Sequence, residues 1–282
     1  MVSPHGCCRR PVCSKRPRLR GGGARHSPRL CAVEEPHDRA AKASEIGARL
    51  TYPVRGQDTG GYLMKIGMIG AGRIASALVE RLAPHGHELM ISNSRGREAV
   101  QETADALGCL AGSAEDAAAF GEVTVVTVPL NRFDTIPAEA IGDRIVVDTC
   151  NYYPGRDGPH PEFEGGGDTT SEQLQRMMPQ ARVVKAFNSI MSAHLAEGGR
   201  PTPSGGLHAL PIASDDTAAA DVVAQIVRDC GLDPVYAGPL KDSWKFERAR
   251  PVYCRPLDAE ALREGLAATT PQDFVPENSW KD

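Results

Sequence analysis

The chain has 282 residues, 41% hydrophobic and 24% charged, with a formal net charge of −4. That length accommodates one large or two ordinary domains, and the apolar fraction is sufficient for a packed core. No apolar run reaches the roughly 18 residues of a membrane-crossing helix, which excludes a chain that spans a bilayer by that means.

The charge divides the chain. Residues 1–63 hold 12 Lys+Arg and 5 Asp+Glu, a balance of +7, which leaves 20 and 31, or −11, for residues 64–282. The first thirty residues have no acidic side chain and are basic at Arg9-Arg10 and over Lys15-Arg16-Pro17-Arg18-Leu19-Arg20. This leader lacks sustained periodicity and reads as disordered. Its composition also suits a nucleic-acid arm or a transit peptide, although it lacks the apolar core of a secretory signal. Cys7, Cys8, Cys13 and Cys31 fit no paired zinc spacing. The expectation we carry forward is that residues 1–63 are translated upstream sequence. On that reading the native start is Met64, preceded by a Gly60-Gly61 pair whose codons can resemble a bacterial ribosome-binding site.

Lys65-Ile66-Gly67-Met68-Ile69 reads as a short buried strand. It runs into Gly70-Ala71-Gly72-Arg73-Ile74-Ala75 and then the helical pattern Ala77, Leu78, Leu82. This strand, turn and helix carry the Gly-x-Gly-x-x-Ala form of the dinucleotide fingerprint. Gly70 permits the tight turn, Gly72 lets backbone approach a pyrophosphate, and Ala75 allows helix and strand to pack closely. The second strand, Gly86 to Ile91, leads into Ser92-Asn93-Ser94-Arg95, where an NAD-selective site usually places an acid for the ribose 2′-hydroxyl. Hydroxyl, amide and guanidinium donors suit a 2′-phosphate instead, so NADP is favoured. A polar loop with a helix-capping serine is compatible with the same residues.

Helices follow at Ala99–Leu107 and Glu115–Phe120, and buried strands at Val123–Val128 and Arg144–Asp148. A helix is expected from Ser171 to Met178, then strands at Arg182–Asn188 and Leu207–Ala213 with an amphipathic helix at Ala218–Cys230. Alternating strands and helices predict an α/β fold with a doubly wound parallel sheet, ligands lying beyond the carboxyl ends of the strands. The expected division is a Rossmann domain over 64–240 and a short C-terminal extension over 241–282, holding a helix from Asp258 to Leu266.

Several motifs together resemble the NADPH-dependent coenzyme F420 reductase family. They are Met64 to Gly72, Ser92-Asn93-Ser94-Arg95-Gly96, Val184-Lys185-Ala186-Phe187-Asn188 and Asp233 to Leu240. The resemblance covers about residues 64–240 and implies a Rossmann fold and reversible hydride transfer between NADP(H) and the deazaflavin coenzyme F420. It places Gly70, Ala71, Gly72, Arg73 and Ile74 at the pyrophosphate, Ser92, Asn93, Ser94 and Arg95 at the 2′-phosphate, and Thr127, Val128 and Pro129 beside ribose and nicotinamide. It also makes a homodimer plausible. The family often has Asn-Ile-Gly or Asn-Leu-Gly where this chain has Arg73-Ile74-Ala75. It also resembles the reductase domain of six-transmembrane ferric reductases, so cofactor binding transfers better than substrate identity.

Hydride transfer between two bound rings needs proximity and alignment above all. No Ser/His/Asp or metal constellation converges on the strand ends, so no catalytic side chain and no metal are expected. Val128, Pro129, Asn151, Asn188, Ile190 and Met191 are expected to form a wall that positions the acceptor. Lys185 reads as a cation for an anionic substrate or as a strand lysine snorkelling to solvent. His194 reads as a proton relay or a helix-start histidine, and Cys150 as a site thiol or a small hydrophobe. The glycine-rich segment Tyr152–Thr170 is a lid or a surface loop. The aromatic and arginine cluster at Trp244, Phe246, Arg248, Arg250, Tyr253 and Arg255 closes the pocket, forms a subunit contact or packs the tail. Widely separated Cys109, Cys150, Cys230 and Cys254 suit a cytoplasm, and the acidic body lacks a nucleic-acid stripe. The reading is an NADP-dependent oxidoreductase acting on F420. Its rivals are a reductase of a flavin, imine or small carbonyl compound, and a non-catalytic NADP(H) sensor.

Overall fold

The computed structural model describes residues 62–164 and 167–280. All but the last two residues of the expected leader over 1–63, with its four cysteines, lie outside the described residues. So does the Gly165-Gly166 pair of the glycine-rich segment.

Strand β1 (Lys65–Ile69) is buried after its first residue. Ile66 and Met68 enter one core cluster, while Ile69 enters another on the opposite face. Strands β4 (Val123–Val126), β5 (Ile145–Asp148) and β6 (Arg182–Lys185) continue this pattern, as expected of β-branched runs covered on both faces, whereas β2 (Glu88–Ser92) sends Leu89 and Ile91 into the first cluster alone. A further strand, β3 (Leu110–Gly112), forms one edge; three residues carry too little periodicity to be read from sequence. Strands β7 (Ala209–Ser214) and β8 (Asp233–Gly238) complete an eight-stranded sheet in the order β3-β2-β1-β4-β5-β6-β7-β8. The first six names in that order reproduce the parallel arrangement expected of a dinucleotide fold, so the protein has a Rossmann-like α/β architecture.

The expectation of a wholly parallel sheet needs correction at one seam. β7 runs antiparallel to β6 and meets it at only two positions, Val184↔Ser214 and Lys185↔Ala213, whereas β8 runs parallel to β7. Between β6 and β7 stands α8 (Ser192–Ala196). The connection over 186–208 is long enough to recross the sheet, but it holds only this one short helix and does not carry the chain back. β7 therefore starts on the side where β6 ended.

Helices pack on both faces. They are α1 (Arg73–Leu82), α2 (Glu98–Leu107), α3 (Ala114–Phe120), α4 (Ala138–Ile141), α5 (Pro154–Asp157), α6 (Pro161–Glu164) and α7 (Thr170–Met177), followed by α8, α9 (Thr217–Asp229) and α10 (Ala259–Ala268). Ser113, Thr169, Asp216 and Asp258 cap α3, α7, α9 and α10, each accepting from the helix's own first turn. α3 sits directly on β1: a Cβ at Gly67 would lie 1.9 Å from the Ala117 carbonyl oxygen, so only glycine permits this approach. Where the chain enters β1, the Met64 N–H donates to His87 Nδ1, and His87 Nε2 lies 3.1 Å from Asp229. Among the described residues, no helix is long and apolar enough to cross a membrane.

Candidate functional site

The glycine turn lies where β1 meets α1. Gly70 has φ +122°, and a Cβ there would sit 2.2 Å from Thr127 Oγ1. The turn therefore passes against β4's carboxyl end, where Thr127 donates to the Ile69 carbonyl through both N–H and Oγ1. Gly72 is the N-cap of α1 and supplies no side-chain cap, and a Cβ built on it would meet nothing within 4 Å. A ten-residue helix thus presents the uncapped N–H groups of its first turn across open ground, the arrangement that receives a phosphate. Ala71 and Ile74 are half-buried against the core, while Arg73 is exposed.

The expected 2′-phosphate residues separate. The Ser92 side chain is fully buried and its hydroxyl donates to the Met68 carbonyl at 2.9 Å, so it ties β2 to β1 and does not face a ligand. Alternation along β2 sets Ser92 on the side of Glu88 and Met90, opposite Leu89 and Ile91, and it is buried there because the strand's end lies against β1. Asn93 is half-buried, its Oδ1 accepting from the Arg95 N–H at 2.9 Å, a local turn that holds the loop. Ser94 and Arg95 are exposed, and Arg95 has no ion pair among the described residues. The uncapped helix, the open Gly72 and the absence of an acid after β2 suit a dinucleotide with an additional phosphate. Arg73, Arg95 and Ser94 are the residues available to hold it.

The residues expected to face the acceptor lie beyond β4, β5 and β6. Val128 and Pro129 are partly exposed at the end of β4. The expected strand at Arg182–Asn188 ends three residues early, at Lys185, because the buried Phe187 takes φ +59°, which no strand accommodates. That turn brings Asn188 to Asn151. Asn151 Nδ2 donates to the Asn188 carbonyl at 2.9 Å, and Asn188 Nδ2 donates to Asn151 Oδ1 at 3.0 Å and to the Phe246 carbonyl at 3.1 Å. Asn188 Oδ1 is buried with no partner among the described residues. Ile190 is 4% exposed and packs into the core, so it supports this wall from behind. Met191 packs instead against the tail cluster of Ala249, Tyr253, Cys254 and Trp280.

Lys185 departs from both expectations for it. Its side chain is fully buried, reaching neither solvent nor a ligand. Nζ donates to Asp148 Oδ2 at 3.0 Å, the Cys150 carbonyl at 2.5 Å and Thr170 Oγ1 at 2.6 Å, with Glu247 at 3.8 Å. Burial alone would lower the ammonium's pKa, but Asp148 and then Glu247 raise it above the ordinary lysine value. Asp148 in turn accepts from the Cys150 N–H and from Ser171 Oγ. One ion pair therefore fixes both polar groups of the Cys150 peptide, next to Asn151. Burial pushes the Cys150 thiol well above its usual range, and Asp148 adds to the effect, which leaves an unreactive hydrophobe. His194 is half-buried on α8, its pKa lowered by burial and by Arg200.

The tail completes this half. Tyr253 lies within 3.5 Å of Asn151 Nδ2 and 3.0 Å of the Tyr153 hydroxyl. Arg248 lies over the rings of Tyr153 and Trp280, and Arg250 over Trp244 and Phe274. The arginine and aromatic cluster is visible in the sequence, but pocket closure and packing look alike there, and Tyr153 and Glu247, on distant segments, carry no local signal. The segment Tyr152–Thr170 holds α5 and α6 and is tied internally by Tyr152 to the Gly158 carbonyl and Glu164. Among the described residues, no three His, Cys, Asp or Glu side chains are grouped so as to hold a metal ion.

Residues 65–152 match the family model described as NADP oxidoreductase, coenzyme F420-dependent. A solved structure of a hypothetical protein from Sinorhizobium meliloti is 30% identical, covering 69% of this chain and 95% of that one with a TM-score of 0.59. A structure described as an F420-dependent NADP reductase, from Arthrobacter sp. FB24, is 24% identical with a TM-score of 0.55. It covers 64% of this chain and 87% of that one, and at this identity it carries the fold alone. Among curated proteins, metalloreductase STEAP3 of Rattus norvegicus is 27% identical over 187 residues, 65% of this chain. The chain spans only 36% of that relative's length. With the fold and the glycine turn, these matches place the chain in the F420-dependent NADP oxidoreductase family, a family of NADP-dependent oxidoreductases.

Proposed function

We propose that the protein transfers a hydride between NADP(H) and coenzyme F420. The observation that carries the NADP half is the uncapped N-terminus of α1 beside open ground at Gly72, with Ser94 and Arg95 exposed where an NAD site would have an acid. When bound, the nicotinamide supplies or takes the hydride. The chain's own part is to align the two rings and exclude water, for which a preorganised wall is enough. Thr127, Val128 and Pro129 would flank the nicotinamide; Asn151 and Asn188, locked together and backed by Ile190, would face the acceptor. The identity of the acceptor as F420 is supported by the family match and by the sequence motifs.

The test mixes the full chain with NADPH and oxidised F420 and follows the deazaflavin absorbance. Bleaching that depends on both protein and NADPH is expected. NADPH oxidation that occurs only with a flavin, imine or small carbonyl acceptor would replace F420 in this reading. Tight NADPH binding without turnover on any acceptor would replace catalysis by sensing.

A further inference from the structure

The Lys185 ammonium, the cation that sequence suggested for an anionic substrate, is spent inside the core. Two guanidiniums stand elsewhere in the acceptor half. Tyr153, Pro154, Gly155, Arg156, Arg248 and Glu277 line an open pocket of about 450 Å³. The Tyr153 ring holds both cations, with Arg156 4.7 Å and Arg248 5.1 Å from its centroid. Arg156 grips the buried side chain of Asp157 through Nε and Nη2, and Nη2 also donates to the Asn151 carbonyl at 2.9 Å. Its Nη1 donors have no acceptor among the described residues. Arg248 is bound differently. Among the described residues its one carboxylate partner is Glu277, which is 52% exposed, and its buried Nε–H has no acceptor.

The pocket lining therefore holds two cations against one anion, Glu277, which sits at the surface on a short tail segment, while Asp157 pairs with Arg156 from outside the lining. We propose that the pocket binds the phosphate or carboxylate group of a small organic anion, with Arg248 and Arg156 as its cations and the Glu277 carboxylate as a displaceable occupant. A bidentate fork is the geometry guanidinium offers to either group. Displacing Glu277 removes one negative charge and turns a locally neutral set, Arg156, Asp157, Arg248 and Glu277, into a cationic one. The pocket adjoins Asn151 through Arg156 and through the Tyr153–Tyr253 hydroxyl pair. The anion it receives is therefore the charged end of the hydride acceptor, an assignment that rests on the function proposed above; the anion site itself does not.

Trp280 reports on the site, because Arg248 lies 5.7 Å from its ring centroid. The full chain is titrated with inorganic phosphate, and separately with acetate, against sodium chloride at matched ionic strength, while tryptophan emission is followed. A saturable change with either oxyanion is expected, and its absence from Trp280→Phe assigns it to this ring. Glu277→Gln is expected to tighten binding about fivefold, the scale of an exposed ion pair. Arg248→Gln is expected to abolish the response, with Arg248→Lys restoring only part of it. A response equal to that of chloride, unchanged in Arg248→Gln, or no tighter in Glu277→Gln would overturn the proposal; the second pattern would place the phosphate at the α1 N-terminus. No NADPH is present, so failure of F420 turnover with an intact titration would remove the acceptor assignment and leave the site.

Discussion

The two halves of the proposed cleft are made in different ways. The cofactor half is local. Its turn, helix start and open floor come from residues 69–75, with the end of β4 at Thr127 packed against the turn, and its neighbours Ser94 and Arg95 are exposed side chains. The acceptor half is assembled from three distant segments, 148–153, 170–188 and 246–253, joined by buried polar contacts. A cleft built this way can change ligands in its first half by single substitutions, whereas in its second half a change of residue is also a change of core.

The largest expected effect lies in the acceptor half. Lys185→Met leaves Asp148 and Glu247 buried without their cation, and breaking such a pair costs about 3–5 kcal/mol. Urea unfolding should show the loss, and Lys185→Met combined with Asp148→Asn should recover part of it. Equal stability of Lys185→Met and wild type would mean that the pair holds nothing. Next comes a substitution confined to the cofactor half. Arg95→Asp removes a charged donor, an interaction of about 1.5–3 kcal/mol, so NADPH binding should weaken by roughly 10- to 100-fold. NADH affinity and the unfolding midpoint should barely move; equal losses for both nucleotides would remove the 2′-phosphate assignment. The smallest is Tyr253→Phe, which cuts the tail from Tyr153 and Asn151 at a cost of about 0.5–1.5 kcal/mol. It should change the KM for the acceptor more than that for NADPH, and the reverse pattern would undo the division between halves.

What could be read in the sequence follows the same division. The glycine turn, the β-branched strands and the Ser92–Arg95 segment are contiguous patterns, and the helices around them lie within a few residues of their expected bounds. Ser92 reads as a loop residue because nothing adjacent to it shows that β2 extends to it and that its hydroxyl pairs with the Met68 carbonyl of β1. Lys185 shows the deeper reason. Nothing adjacent to it in sequence announces Asp148, Thr170 or Glu247, and a buried cation is legible only once all three partners are known. The reversal at β7 was hidden likewise, since strand composition carries no direction.

That reversal has a mechanical consequence. β7 and β8 hold each other along their length, and α10 packs with Val235, Phe246 and Val252 in their own apolar cluster. To β6 the strands are joined by two paired positions, by the Ser214 hydroxyl donating to the Val183 carbonyl and by α9, and the tail reaches back to the inner sheet through Glu247, Phe246 and Tyr253. Cooperative units in a protein open where the fewest bonds cross. By that measure β7 and β8 form the outer piece that loosens first while the six-stranded sheet stays closed, and the tail is the brace that ties them back to β5 and β6. Amide exchange, were it to run in two steps, would release β8 before β1.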